Sequence, residues 1–239
     1  MNLLKKTLYF ILSAFILLLP ISAFSGDTKE IFGVWGSVTL QGDFKFLSDN
    51  SGKNFKWQVM DQGRTREDSP KGTRFTENLL FSQIGYQLND NASLWMGYVH
   101  DWIHPLNKPS YQENRPYQDF LWNQNLKDFK LLLRTRIEER INQASGEVGY
   151  RPRQFIQISH NLPFVNNLSA YIGDEIFFYA NKNTFGKRGF SENRVLAGLS
   201  YQINAQTGLD LGYLGQFVDS STGNNLFTHN LQANLRYKF

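Results

Sequence analysis

The stretch that decides the fold is Leu131-Leu-Leu-Arg-Thr-Arg-Ile-Glu-Glu-Arg-Ile-Asn142. Side chains along a β-strand point alternately to opposite faces, so residues two positions apart in this stretch share a face. The apolar face consists of Leu131, Leu133, Thr135, Ile137 and Ile141. The ionic face consists of Arg134, Arg136, Glu138, Arg140 and Asn142. The stretch therefore predicts a strand with one apolar and one charged side.

The same alternation recurs in residues 193–203 and 227–239, and the chain ends on an aromatic residue, Phe239. Two architectures fit such strands. In a soluble sandwich the apolar face forms the core and the charged face meets water. In a transmembrane barrel the apolar face meets lipid and the charged face lines the lumen.

Four features favour the barrel, and one of them is the N-terminal export signal described below. The predicted strands are about 9–14 residues long, whereas strands of globular proteins are mostly 5–6 residues long. Short and long connections alternate along the chain, as periplasmic turns and extracellular loops do. Tyr237 and Phe239 end an amphipathic segment, a pattern similar to the signal that the barrel-assembly machinery recognises. We predict an all-β transmembrane antiparallel β-barrel in a Gram-negative outer membrane, in contact with its lipid and lipopolysaccharide.

The N-terminus has the composition of an export signal. In residues 1–25 two lysines precede an apolar run of about a dozen residues, and small residues follow it. We expect a Sec-type signal peptide that is cleaved after Ser25, which leaves residues 26–239 as a single barrel domain. Removal of residues 1–25 leaves a formal net charge of +2, too small for a nucleic-acid-binding surface. The absence of cysteine excludes disulfide scaffolds and thiolate metal sites.

The number of strands follows from a rule rather than from the pattern. Eleven segments alternate, but single-chain bacterial barrels have an even number of strands, because both termini lie in the periplasm. We therefore predict about 12 strands, with 10 as the alternative. Twelve strands result if residues 31–48 form a hairpin that turns at Gly42 and Asp43. Ten strands result if the first segment does not complete a crossing.

Aromatic residues concentrate toward the ends of the predicted strands. They include Tyr98, Trp102, Trp122, Phe177, Phe178, Tyr179, Tyr213, Tyr237 and Phe239. Membrane barrels carry aromatic girdles at both lipid–water interfaces. We therefore expect these rings to face the two membrane interfaces.

Charged residues on the inward face form the candidate site. They are Glu113, Arg115, Arg134, Arg136, Glu138, Arg140, Arg153, Glu175, Glu192 and Arg194. One hypothesis is a lumen filled by arginine–carboxylate pairs, because guanidinium groups match carboxylates in geometry and charge. The other is a narrow, weakly conducting channel in which excess arginine attracts anions or other small solutes.

An outer-membrane lipid hydrolase, of the phospholipase or deacylase type, is the alternative function. Such an enzyme needs a nucleophile, a base and an orienting group. His229 and His100 lie near predicted external strand ends and are the candidate bases. The sequence shows no complete nucleophile set, no metal-ligand spacing and no phosphate-binding or dinucleotide motif. We therefore expect no metal and no cofactor, and an enzymatic role is the less favoured alternative.

A set of short motifs also resembles a known family. The motifs are Glu113-Asn-Arg115, Leu133-Arg-Thr-Arg-Ile-Glu-Glu-Arg140, Arg151-Pro-Arg153, Asp174-Glu175-Ile-Phe177, Glu192-Asn-Arg194, Gly198-Leu-Ser-Tyr201, Gly212-Tyr-Leu214 and His229-Asn230. In this order they resemble the bacterial family named domain of unknown function 2490 over about residues 35–239. The resemblance implies a secreted outer-membrane barrel and supplies no activity.

Overall fold

The computed structural model describes residues 28–45, 47–48, 52–67, 72–106, 108–220 and 223–239. In that part of the chain eleven β-strands follow one another, with one turn of 3-10 helix at Gly52–Asn54. The strands are β1 (Thr28–Asp43), β2 (Phe55–Arg66), β3 (Arg74–Gln87), β4 (Ala92–Ile103), β5 (Tyr111–Leu126), β6 (Phe129–Asn142), β7 (Val148–Asn161), β8 (Leu168–Tyr179), β9 (Gly189–Gln202), β10 (Thr207–Val218) and β11 (Asn225–Lys238). The predicted signal peptide, residues 1–25, lies outside the described residues. Within the described ranges no helix has the length and apolarity to cross a membrane.

The strands close into a barrel. Each strand pairs antiparallel with its neighbours in sequence, and β1 completes the ring by pairing with β11. This closing pair is parallel and runs over fourteen positions, from Thr28 beside Asn225 to Gln41 beside Lys238. Because every strand has a partner on both sides, the sheet leaves no open edge for another chain to pair with. The all-β barrel predicted from the alternation is thus present.

The predicted strand count was wrong. β1 runs without interruption to its last residue, and Gly42 and Asp43 pair with β2 instead of forming a turn. An even number of strands is required only when the first and last strands pair antiparallel, and here they pair parallel. As a result, Thr28 and Lys238 lie at opposite ends of the barrel. The expectation that both termini of the barrel share one end is therefore also wrong. We call the two ends the Thr28 end and the Phe239 end.

Successive strands connect alternately at the two ends. The described residues of the connections at the Phe239 end are 44–45, 47–48, 52–54, 88–91, 127–128, 162–167 and 203–206. Those at the Thr28 end are 67, 72–73, 104–106, 108–110, 143–147, 180–188, 219–220 and 223–224. Asparagine explains two of the short turns: the Oδ1 atoms of Asn89 and Asn204 each accept two backbone N–H bonds, at 2.8–2.9 Å. Such bonds hold a turn without help from the rest of the fold.

The outer wall carries the apolar face of the strands. Large apolar side chains are exposed there, for example Phe32 (59%), Ile172 (58%) and Leu231 (60%). Others are Val34, Val38, Leu40, Ile84, Leu94, Met96, Ile137, Leu199, Leu211 and Leu235. Buried charged residues lie on the opposite, inward face. This arrangement is the inverse of a soluble sandwich, in which the apolar faces meet inside.

Aromatic side chains gather on the outer wall at both ends. At the Phe239 end, Trp57 and Phe239 have ring centroids 5.6 Å apart. At the Thr28 end, Phe32 stacks on His229 at 5.0 Å. Phe177 and Tyr179, expected in such a girdle, are instead buried in the lumen, because the alternation of β8 places them on the inward face with Glu175.

Candidate functional site in the barrel lumen

The Thr28 half of the lumen contains two groups of ion pairs, and the first joins β4, β5 and β6. Arg115 donates to the carboxylates of Asp101 and Glu113, with an Nε–Oε2 distance of 2.8 Å to Glu113. Arg140 reaches Glu113 from β6, with Nη2–Oε1 at 2.7 Å, and donates to the Tyr179 hydroxyl at 2.6 Å. Asp101 and Glu113 are fully buried. Their charges are therefore balanced by these arginines rather than by water.

The second group centres on Glu138 of β6. Its carboxylate accepts hydrogen bonds from Arg151 and Arg153 of β7, with Arg153 Nη1–Oε2 at 2.8 Å. Arg136 Nη1 lies 3.9 Å from Glu138, and this arginine also makes two bonds of 2.6 Å to Asp119 of β5. Bidentate pairs of this kind fix both distance and orientation. Three adjacent strands are thereby tied together through the lumen.

The second group continues into β8 and β9. Glu175 accepts bonds from Arg153 Nε at 2.9 Å and from Arg134 Nη2 at 2.6 Å. Glu192 pairs with Arg194 at 2.5 Å and lies 3.8 Å from a guanidinium nitrogen of Arg151. Ionic contacts thus extend without a gap from β5 to β9.

Aromatic rings occupy the space between these charges. The guanidinium of Arg136 lies 3.6 Å from the ring centroid of Tyr117. The ring of Phe177 has the guanidinium carbons of Arg151, Arg153 and Arg194 within 4.5–5.2 Å. Tyr117 is 2% exposed and Phe177 is 0% exposed. These rings and the guanidinium groups around them are therefore packed against one another in the lumen. We call the two ion-pair groups together with these two rings the plug.

The Phe239 half of the lumen is hollow. It holds a cavity of about 1000 Å³ whose lining includes the β7–β8 turn at the Phe239 end. At mid-barrel the cavity ends on Trp35, Arg136, Arg153 and Arg194, which belong to the plug or pack against it. The described residues of its wall include seven basic and three acidic side chains. They are Arg64, Lys130, Arg134, Arg136, Arg153, Arg194 and Arg236, with Asp119, Glu175 and Asp210. The cavity is thus a cup with a charged floor.

The ten inward residues singled out from the sequence all lie in this lumen. Each makes at least one ionic contact with another charged side chain, and together they form most of the two groups. Sequence reasoning missed Asp101, Asp119 and Arg151. Asp119 continues the every-second-residue series of β5, and Arg151 continues that of β7, so the alternation could have found both. Asp101 stands in an aromatic-rich segment, where the alternation carries no comparable charge signal.

The two candidate catalytic histidines lie outside the lumen. The His229 ring is on the outer wall, with Nδ1 2.8 Å from the Tyr213 hydroxyl and Nε2 3.7 Å from Glu30. The His100 ring contacts the amide oxygens of Asn114 (3.2 Å) and Gln112 (3.0 Å). Among the described contacts of these two rings there is no serine or threonine hydroxyl. The described residues likewise contain no cluster of three or more His, Cys, Asp or Glu side chains suited to a metal ion.

Comparison with known proteins gives a family and few relatives. A family profile described as "Protein of unknown function (DUF2490)" matches residues 32–227, in agreement with the family that the motifs resemble. An uncharacterized protein of Methylorubrum extorquens is 28% identical over 164 residues, which cover 67% of this chain and 72% of that protein. A probable tRNA pseudouridine synthase D of Thermococcus gammatolerans is 25% identical over 209 residues, which cover 75% of this chain and 46% of that protein. No solved structure matches the chain.

Proposed function

The chain belongs to the DUF2490 family, whose function is unknown, and we propose that it is an outer-membrane barrel closed to through-flow by its plug. Such a protein would act at one membrane face, through the cup at its Phe239 end. The outer wall, the plug and the C-terminus each support this role.

The outer wall supports insertion into a membrane. Monomeric soluble proteins rarely expose a contiguous apolar patch of more than a few hundred Å². Here every second residue of β1 from Phe32 to Leu40, apart from Gly36, is an exposed large apolar side chain, and comparable exposed side chains recur around the ring. Aromatic clusters bound this surface at both ends, as interfacial girdles do. An apolar outer surface of this kind is more stable in contact with lipid than in contact with water.

The plug is the observation that carries the proposal. A conducting lumen needs a continuous water-filled path, whereas Glu113 (0%) and Glu138 (1%) are shielded from solvent although both are charged partners of arginine. Glu113 contacts two arginines and Glu138 contacts three, so these charges hold one another in contact instead of lining a water-filled path. A plugged barrel therefore explains the pairing better than an anion-selective channel does.

The C-terminus supports an orientation. Tyr237 and Phe239 close an amphipathic last strand, and Phe239 packs against Trp57 on the outer wall. With Phe239 as part of the signal for the barrel-assembly machinery, the Phe239 end faces the periplasm. The Thr28 end, with its connections of five to nine residues, then faces lipopolysaccharide and the exterior. Export requires the signal peptide expected at residues 1–25.

Fractionation and conductance test the two parts of the proposal. We expect the protein in outer-membrane fractions, with a folded form that migrates differently on a gel before and after boiling. Recovery as a soluble periplasmic protein would contradict membrane insertion. In planar bilayers we expect no current steps, because the plug blocks the lumen. Regular single-channel steps from the purified, folded protein would contradict the plug.

Cysteine labelling tests the orientation, because the natural chain contains no cysteine. Lys182 lies exposed in the β8–β9 loop and Ala205 lies exposed in the β9–β10 turn. We expect Lys182→Cys to react with an impermeant maleimide on intact cells, and Ala205→Cys to react only after the outer membrane is permeabilised. The opposite result would invert the proposed orientation and leave insertion intact.

A further inference from the structure

We propose that the cup binds a small organic anion that carries several hydroxyl groups, such as a sugar acid or a sugar phosphate. The inference rests on the proposed plugged barrel in one respect, because the plug supplies the floor of the site. It needs no assumption about conductance or about which compartment the cup faces. The charge, the polar wall and the aromatic surfaces of the cup each support it.

The charge of the wall selects for an anion. Seven basic and three acidic side chains face the cavity. Arg64 and Arg194 pair with Glu77 and Glu192, which do not belong to the wall, whereas Arg153 pairs with Glu138 outside the wall and with Glu175 in it. The guanidinium groups of Arg64 and Arg194 therefore stand between the cavity and their carboxylate partners. A concave site with walls of low dielectric concentrates the resulting positive potential.

Arg134 is the guanidinium best placed to meet a ligand. It has one carboxylate partner, Glu175, at 2.6 Å, and its side chain is 24% exposed, more than the other arginines of the plug. Its side chain lines the cavity, so the exposed part of the guanidinium can donate hydrogen bonds to a carboxylate or phosphate oxygen there.

Neutral polar groups line the wall between the floor and the mouth. The glutamines that face the cavity include Gln58, Gln83, Gln157, Gln202 and Gln232, and three serines stand near the mouth, Ser159, Ser169 and Ser200. Amides and hydroxyls both donate and accept hydrogen bonds, so they match the hydroxyl groups of a sugar. A site for a bare inorganic ion would need no such wall. The amides therefore favour a polyhydroxylated ligand over a simple anion.

Aromatic faces complete the match. Phe81 and Tyr171 are half-buried rings of the wall, whereas Trp35 and Phe155 are buried, with the guanidinium groups of Arg64 and Arg134 at 3.8 and 5.1 Å from their ring centroids. The rings of Phe81 and Tyr171 can cover an apolar C–H face of a sugar, while the amides bind its hydroxyls. The volume of about 1000 Å³ lies at the upper end of small-molecule sites.

Calorimetric titration of the folded, detergent-solubilised full chain tests the inference. The probes are D-glucuronate and glucose 6-phosphate, with glucose as the neutral match and sodium sulfate as the anion without hydroxyls. We expect either acid sugar to bind at least tenfold more tightly than glucose and than sulfate. A preference for glucuronate or for glucose 6-phosphate distinguishes carboxylate from phosphate as the anionic group. Equal binding of glucose and the acid sugars, or no heat with any probe, would overturn the inference.

Two variants locate the site. Arg134→Gln should lower the affinity for the acid sugar by about tenfold or more, whereas Lys127→Gln, which removes one charge at the same end outside the cavity wall, should leave it unchanged. Gln157→Glu is the second variant, for the case in which Arg134→Gln does not fold. It adds a carboxylate to the wall without changing an ion pair, and it should reduce the affinity for the acid sugar at least tenfold. Unchanged affinity in the folded Gln157→Glu variant would refute the site. Current steps in a bilayer would contradict the plug but not the binding site, because the titration tests binding independently of conductance.

Discussion

The same eleven strands build both halves of the lumen, but the Thr28 half is packed with side chains and the Phe239 half contains a cavity. In the Thr28 half, inward positions carry arginine, glutamate and large rings. A Cβ on Gly97 would overlap the ring of Tyr117, so the glycine makes the space that the tyrosine fills. In the Phe239 half, inward positions carry glutamine, serine and asparagine, and a cavity remains. A barrel of given strand number and shear has a fixed diameter. The volume of the inward side chains at each height along the barrel axis therefore decides whether the lumen is closed there.

Polar groups in the two halves also differ in whether water can reach them. A charged group in the plug is stable only when its partners remain, because no water can replace them. A polar group in the cup can exchange a protein partner for water at little cost. The predictions below test this difference, from the largest expected effect to the smallest.

Removal of one charge from the plug should have the largest effect. Glu138→Gln keeps the shape of the side chain and leaves Arg151 and Arg153 without the carboxylate that both contact. We expect the free energy of unfolding to fall by about 3–5 kcal/mol, the usual result of breaking a buried ion pair. Urea unfolding of the detergent-solubilised protein measures it. A loss below about 1 kcal/mol would mean that water reaches the plug.

Arginine placed on the outer wall should have the next largest effect. Leu133 lies among Trp122 and Ile156 on the outer wall, and Leu133→Arg should lower stability in a bilayer by about 2–4 kcal/mol if this level is near the midplane. The matched change Ser159→Arg faces the cup, where the added charge meets water. Unfolding of both variants in lipid vesicles gives the comparison. Equal stability of Leu133→Arg and the natural protein would mean that the wall is not in lipid.

A single methyl group should distinguish packed from open space. Gly97→Ala should lower the free energy of unfolding by about 1–3 kcal/mol, because the Cβ must displace the buried Tyr117 ring. Gly36 is the control, since a Cβ there has no described atom within 4 Å. The urea midpoints of Gly97→Ala and Gly36→Ala should therefore differ. Coincident midpoints would indicate a loosely packed plug.

The smallest effect is expected in the cup. Gln58 Oε1 accepts a bond from Gln83 Nε2 at 3.1 Å, and both side chains border the cavity. In Gln58→Ala water can replace the lost partner, so stability should change by less than about 0.5 kcal/mol. The same unfolding assay applies. A loss of stability comparable to that of Glu138→Gln would mean that water cannot replace a lost partner in the cup either.

Local sequence patterns accounted for the strands and for most of the plug. The alternation in 131–142 placed Arg134, Arg136, Glu138 and Arg140 on the inward face because a strand repeats every two residues, whatever surrounds it. Asp119 and Arg151 obey the same rule and were within its reach. The buried positions of Phe177 and Tyr179 follow from it as well, and the expectation of a girdle wrongly took precedence over it.

Other features depend on contacts between distant parts of the chain. The pairing of β1 with β11 joins residues almost 200 positions apart, and no local pattern encodes whether such a pair is parallel. The even-number rule, which holds for barrels closed by an antiparallel pair, therefore led to a wrong strand count, although eleven alternating segments were visible in the sequence. The cup was likewise beyond prediction, because its volume is the space that the side chains of all the strands at one level leave unfilled.

The parallel seam between β1 and β11 has a consequence for circular permutation. In a barrel closed by an antiparallel pair, the first and last strands can be joined by a short hairpin, and new termini can be opened elsewhere. Here the end of β11 and the start of β1 are separated by fourteen paired positions, or about 45 Å along the strands. A joining peptide would need roughly 14 extended residues. It would have to cross the apolar outer wall or pass through the plug, so a permuted chain that joins these two ends should lose stability.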